Sequence, residues 1–97
     1  MAVESKLRAK LRERVMAYGG EVRAVKWLGR RNAPDVLVLM PYVEGIRDRA
    51  YHCFVETKGT ETVSDAQLRE HKRMCEAGCQ VILCRNEQEL DAWLPPL

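Results

Sequence analysis

The stretch Val36-Leu37-Val38-Leu39-Met40 is apolar at every position, and few folds can hold such a strand. A strand with one wet face alternates polar and apolar residues, whereas an unbroken apolar run belongs to a central strand covered on both faces. A chain of 97 residues has room for one core only. Its cover must therefore come from helices layered on a single sheet.

The rest of the chain supplies those layers. Val3, Leu7, Leu11, Val15 and Tyr18 recur at helical spacing and predict a helix over 2–18, with Gly19-Gly20 as its stop. Residues 21–27 alternate polar and apolar and predict a half-buried strand. A glycine- and proline-punctuated loop follows at 29–34 and leads into the apolar strand that Asp35 opens. Pro41 closes that strand. A polar turn over 42–50 is short enough to make the next strand, 50–58, antiparallel to it. Ser64 with Gln67 three residues on is a capping-box pattern, so a helix is expected from there to about 76, stopped by Gly78. Residues 80–84 predict a short buried strand reached by a crossover that permits parallel pairing. Asn86 caps a last helix over 87–93, ended by Pro95-Pro96. The order is α-β-β-β-α-β-α, a three-layer α/β sandwich around a mixed sheet, with residues 1–97 as one domain.

Charge is unevenly spread. Residues 1–31 carry nine Lys/Arg against three Asp/Glu, and residues 32–97 carry seven against eleven. A basic N-terminal third suits an anionic polymer such as nucleic acid. No run approaches the roughly 20 apolar residues of a membrane span, and the N-terminus has the charge pattern of a helix, not of a secretion signal. The expectation is a cytoplasmic protein with reduced thiols. Cys75 and Cys79 lie near His71, but their spacing matches no familiar zinc pattern, and Cys53 and Cys84 fit as small buried strand residues.

The chemistry concentrates in two short runs, Pro34-Asp35 and, about twenty residues later, Glu56-Thr57-Lys58-Gly59. Strand residues two apart share a face, so Glu56 and Lys58 point one way and Thr57 the other. If the Asp35 strand pairs beside them, two carboxylates and one ammonium converge. Two carboxylates suit a hard divalent cation such as Mg²⁺ that keeps positions open for water and phosphate oxygens. The ammonium can orient a water or offset charge building on phosphorus. That set points to metal-assisted phosphodiester hydrolysis. Plainer roles exist for each residue: Asp35 as a strand-entry turn residue, Glu56 and Lys58 as a neutralised pair, Gln67 as the partner of Ser64 in the cap, and Glu4 as a first-turn acid favoured by the helix dipole.

Pro34-Asp35, Glu56-Thr57-Lys58-Gly59, Val63-Ser64-Asp65-Ala66-Gln67 and Glu4 on the first helix together resemble the PD-(D/E)xK nuclease superfamily, with its restriction-endonuclease-like fold. Within it they resemble the VRR-NUC branch, in its stand-alone viral and bacterial form. Glu-x-Lys by itself is common; the ordered set is the specific signal. The resemblance implies a metal-dependent, structure-selective DNA endonuclease. It implies that Asp35, Glu56 and the Thr57 carbonyl hold Mg²⁺ or Mn²⁺, with Glu4 as a further ligand. It also implies that Lys58 sits by the attacking water, that Gln67 reaches the site, and that cleavage leaves a 5′-phosphate and a 3′-hydroxyl.

By the same resemblance, small stand-alone members cut four-way (Holliday) junctions as homodimers, while VRR-NUC domains inside larger proteins act on flaps or splayed duplexes. A non-catalytic DNA-binding module on the same fold is the other alternative. Expected phosphate contacts are Arg30 and Arg31 ahead of Asp35, then Lys6, Lys10 and Arg14 on the first helix, and Arg69, Lys72 and Arg73 on the middle one. Trp27 and Trp93 are expected to pack rather than stack on bases.

Overall fold

Leu7, Leu11 and Val15 repeat every four residues along α1 (Val3–Ala17), and all three are buried. They form the stripe by which α1 lies on the sheet. In this computed structural model residues 3–59 and 61–97 are described, without the side chains of Val3 and Glu4. The helix ends at Gly19, which takes a left-handed φ of 83°. The Gly20 N–H then donates back to the Val15 carbonyl at 2.9 Å, closing the helix end. A Cβ at Gly20 would fall 2.6 Å from Met40 Sδ and 2.7 Å from the Leu39 carbonyl oxygen. Only glycine lets this turn sit directly on the sheet.

The strands are β1 (Glu21–Ala24), β2 (Val36–Met40), β3 (Tyr51–Thr57) and β4 (Val81–Cys84), and they lie in the order β1-β2-β3-β4. β2 is antiparallel to both β1 and β3, and β4 is parallel to β3. The mixed sheet and the α-β-β-β-α-β-α order are those expected. β1 is shorter than its alternating pattern predicts. One more rung follows Ala24, the Val25 N–H donating to the Asp35 carbonyl at 2.9 Å, and the chain then turns so that the Trp27 indole N–H donates to the Pro34 carbonyl at 2.7 Å and its ring packs on Phe54.

The pairing Val36↔Val55, Val38↔Cys53 sets one face of the sheet. There Val36, Val38, Met40, Cys53, Val55 and Cys84 join Leu7, Leu11 and Val15 of α1 and Leu90 and Leu94 in a single core. Leu90 belongs to α3 (Glu87–Trp93), which Asn86 caps by accepting from the Glu89 N–H at 2.9 Å. Arg14 fastens the two helices, donating to Asp91 at 2.7 Å and to the Leu94 carbonyl at 2.6 Å. The opposite face carries α2 (Asp65–Glu76), which packs against β4. Both halves of the Ser64–Gln67 capping box form. This second face is covered only in part. Leu37, Leu39 and Phe54 stay half-buried there while Val36 and Val38 opposite are buried. Among the described residues no helix is long and apolar enough to cross a membrane.

Leu11 is fully buried, so Leu11→Ala is expected to cost about 2–5 kcal/mol through lost contacts and the cavity left behind. Urea unfolding of the two proteins checks this. Cys53 and Cys84 are buried, and burial pushes the Cys53 thiol up to about 11. Cys75 is exposed and Cys79 half-exposed. Thiol labelling of the native protein is therefore expected to modify Cys75 and Cys79, and to reach Cys53 and Cys84 only after unfolding.

Candidate active site

Val36 opposes Val55, and one step further along the same register Asp35 comes across from Glu56. Both sit where their strands end. Glu56 faces α2 and is buried, and Thr57 on the other side of the pleat is fully buried beneath α1. Lys58 continues the ladder, its N–H donating to the Cys84 carbonyl at 3.0 Å. Its side chain is 12 % exposed, and Nζ lies 3.9 Å from Glu61.

Burial drives the Glu56 carboxyl above the usual carboxylate range. The His71 contact and the Lys58 ammonium pull it back down, and the Asp35 charge pushes it further up. The register sets Asp35 across from Glu56, and Lys58 follows two residues on, so the three come together at neighbouring strand ends. A buried carboxylate beside a second carboxylate is a place where a cation is favourable. Among the described residues no three Asp, Glu, His or Cys side chains gather as a metal cluster. The donor set is therefore two carboxylates, to be completed by peptide oxygen, water or phosphate. This fits a hard ion that keeps part of its hydration shell, as Mg²⁺ and Mn²⁺ do.

Two partners orient the carboxylates. Arg8, reaching from α1, donates to Asp35 Oδ1 at 3.3 Å and to Thr57 Oγ1 at 3.4 Å. His71, on α2, places Nε2 3.4 Å from Glu56 Oε1. A third contact acts on the chain before Asp35. Arg30 forks onto the Glu70 carboxylate of α2, which Arg73 also approaches at 3.4 Å. The Arg30 hydrogen bond is the main reason the Glu70 carboxyl lies below its usual range.

Arg8, Glu70 and His71 were not singled out as functional by sequence reasoning. The signals available were positional. Arg8 lies one helical turn after Glu4, and His71 one turn after Gln67, so each shares a face with a residue already selected. Gln67 itself is placed on the first turn of α2 with its side-chain oxygen accepting from the Ser64 N–H at 3.0 Å. The side chain of Glu4 is outside the described residues.

The expected phosphate contacts divide. Lys6, Arg31, Arg69 and Lys72 are exposed. Lys10 pairs with Glu87 at 3.3 Å, while Arg30 and Arg73 share Glu70. Arg14 is placed otherwise than expected. Its side chain is only 13 % exposed and is held by Asp91, so it serves the α1–α3 packing.

The chain is similar to a solved structure described as a VRR_NUC domain. The two share 34% sequence identity with a TM-score of 0.78, over 95% of this chain and 94% of that one. No protein-family model and no curated protein matches the sequence.

The Arg30–Glu70 pair has a testable pH signature. A carboxyl held below its ordinary value adds stability that is fully present above the unfolded-state pKa and is lost as the pH falls through the folded-state value. Glu70→Gln should therefore be less stable than the wild type at neutral pH. The gap should close below about pH 4. Thermal unfolding across that range reads it.

Proposed function

The chain belongs to the VRR-NUC domain family, whose members are DNA-processing nucleases, and from that membership we propose that it is a metal-dependent, structure-selective endonuclease that resolves four-way DNA junctions as a homodimer. The observation that carries the reading is the β2–β3 register, which sets Asp35 across from Glu56 with Lys58 two residues further along the chain.

In this reading Asp35 and Glu56, with the Thr57 carbonyl, would hold Mg²⁺ or Mn²⁺, and Glu4 would be available for a second ion. The bound cation supplies activation of a water and neutralisation of charge at the scissile phosphate. Lys58, largely shielded from solvent, directs its ammonium at the charge that develops as the water attacks phosphorus and the P–O3′ bond breaks. Arg8 holds the Asp35 carboxylate in place and His71 holds that of Glu56, so neither ligand has to be ordered when substrate arrives. Gln67 sits one turn before His71 on the same face of α2. Lys6, Arg31, Arg69 and Lys72 are the exposed cations available to phosphates along the duplex arms.

The homodimer has support in the sheet. Leu37 and Leu39 are half-buried on the face that α2 leaves partly open, a surface a second copy can cover. Two sites related by a two-fold axis match a junction in which two strands are nicked.

Purified protein is expected to nick a labelled four-way junction with Mg²⁺ or Mn²⁺, and Asp35→Ala or Lys58→Ala should slow this by about 10²–10³-fold. A panel including linear duplex, splayed duplex and flap ranks the substrates. Full activity in EDTA, or an unimpaired Lys58→Ala protein, overturns the reading. Tight branched-DNA binding unaffected by Glu56→Ala and without cleavage would mark a binding module instead.

A further inference from the structure

Between Val22 and Pro34 the chain has four Lys/Arg and no acidic residue. The loop formed by the second half of this segment is pinned at its base. The Val25 N–H donates to the Asp35 carbonyl at 2.9 Å, and the Trp27 indole donates to the Pro34 carbonyl at 2.7 Å. The Trp27 ring also lies against Phe54, with centroids 5.3 Å apart. On its far side Arg30 is fastened to Glu70 of α2. Gly29 and Asn32 take left-handed φ of 70° and 66°, which fold the loop back on itself.

What the staples hold out is Leu28. It is 92% exposed, more than any other large apolar side chain among the described residues. A Cβ added to Gly29 beside it would meet nothing within 4 Å, so the tip stands clear of the protein body. Lys26, Arg30 and Arg31 lie within three residues of it along the chain, all exposed. A single exposed leucine is ordinary. A leucine on a free-standing tip, in a loop braced from both sides, flanked along the chain by cations and leading into Asp35, is a different object. Proteins that unstack DNA use this combination, an apolar wedge between base steps with basic side chains on the flanking phosphates.

Resting on the nuclease reading above, we infer that Leu28 is a wedge that enters the opened base step at a branch point, with Lys26 and Arg31 on the adjacent phosphates. The loop then selects substrates by how easily their bases unstack. A four-way junction or splayed end offers a step that is already loosened; a continuous duplex resists. Because the same loop ends at Asp35, the wedge also sets the distance from branch to cut. Self-association through this tip is disfavoured, since a two-fold contact would set two acid-free cationic loops face to face.

The test uses the Lys58→Ala protein, so that DNA is bound without being consumed. Its partners are a four-way junction carrying 2-aminopurine at the branch and a linear duplex of matched sequence. Binding is expected to raise the branch fluorescence. Adding Leu28→Ala should abolish most of that rise and reduce the preference for junction over duplex by about fivefold, while Leu28→Met restores both. Leu28 is exposed, so thermal unfolding should match the parent protein. A Leu28→Ala protein that keeps both the fluorescence rise and the junction preference overturns the wedge. So does a change in sedimentation mass, which would place Leu28 in a contact between copies. Binding without a fluorescence rise in the parent defeats the wedge alone; failure to bind either DNA defeats the nuclease reading with it.

Discussion

Val36 lies across from Val55, and Val38 across from Cys53. A slip of one residue between these strands would turn every side chain of β3 to the opposite face relative to its neighbour. Cys53, Val55 and Thr57 would leave the core beneath α1, and Glu56 would enter it. The apolar packing of one face thus fixes the chemistry of the other. Because burial of Cys53 and Val55 holds the register, Asp35 and Glu56 have to meet where the two strands end. The site is a consequence of core packing carried one residue further.

The position of Glu56 has an energetic cost that the fold offsets locally. Its carboxyl is raised by burial and by Asp35, and lowered by His71 and Lys58. A buried carboxylate left alone would take up a proton and lose its use as a ligand. His71 and Lys58 keep that from going further, one from α2 and the other from the next residue on the same face of β3. Asp35 is treated differently. More than half of its side chain is exposed, and Arg8 steadies it from α1. One carboxylate is stressed by burial and the other is open to water, an asymmetry suited to a cation that arrives partly hydrated.

Local signals were legible in the sequence, and long-range ones were not. The apolar run of β2, the capping box of Ser64 and Gln67 and the Asn86 cap are each decided within four residues of chain, and all are in the structure. The family signal was legible for the same reason, since Pro34-Asp35 and Glu56-x-Lys58 are short and ordered. By contrast, Arg8 meets Thr57 across 49 residues, Arg30 meets Glu70 across 40, and Arg14 meets Asp91 across 77. Nothing local distinguishes Arg14, which packs α1 on α3, from Lys6, which faces solvent. The end of β1 was misplaced because the alternation continues through Trp27 while the indole finds a better partner in the Pro34 carbonyl. Full cover of β2 on both faces was also too strong an expectation. The 12 residues of α2 reach β4 and the end of β3, but leave Leu37 and Leu39 half-open.

Three layers do more here than bury a sheet. Arg8 comes from the helix on one face and His71 from the helix on the other, and each is directed at a different carboxylate. A two-layer fold of this size would leave one of the pair without a partner fixed by packing. α2 contributes a second time, because Glu70, the residue before His71, holds Arg30 and with it the loop that delivers Asp35. Movement of α2 away from the sheet would therefore disturb Glu56 directly and Asp35 through the loop. The two carboxylates come from separate strands, and one short helix touches the setting of both, Glu56 through His71 and the loop before Asp35 through Glu70. This couples the geometry of both carboxylates to the packing of the outer layer.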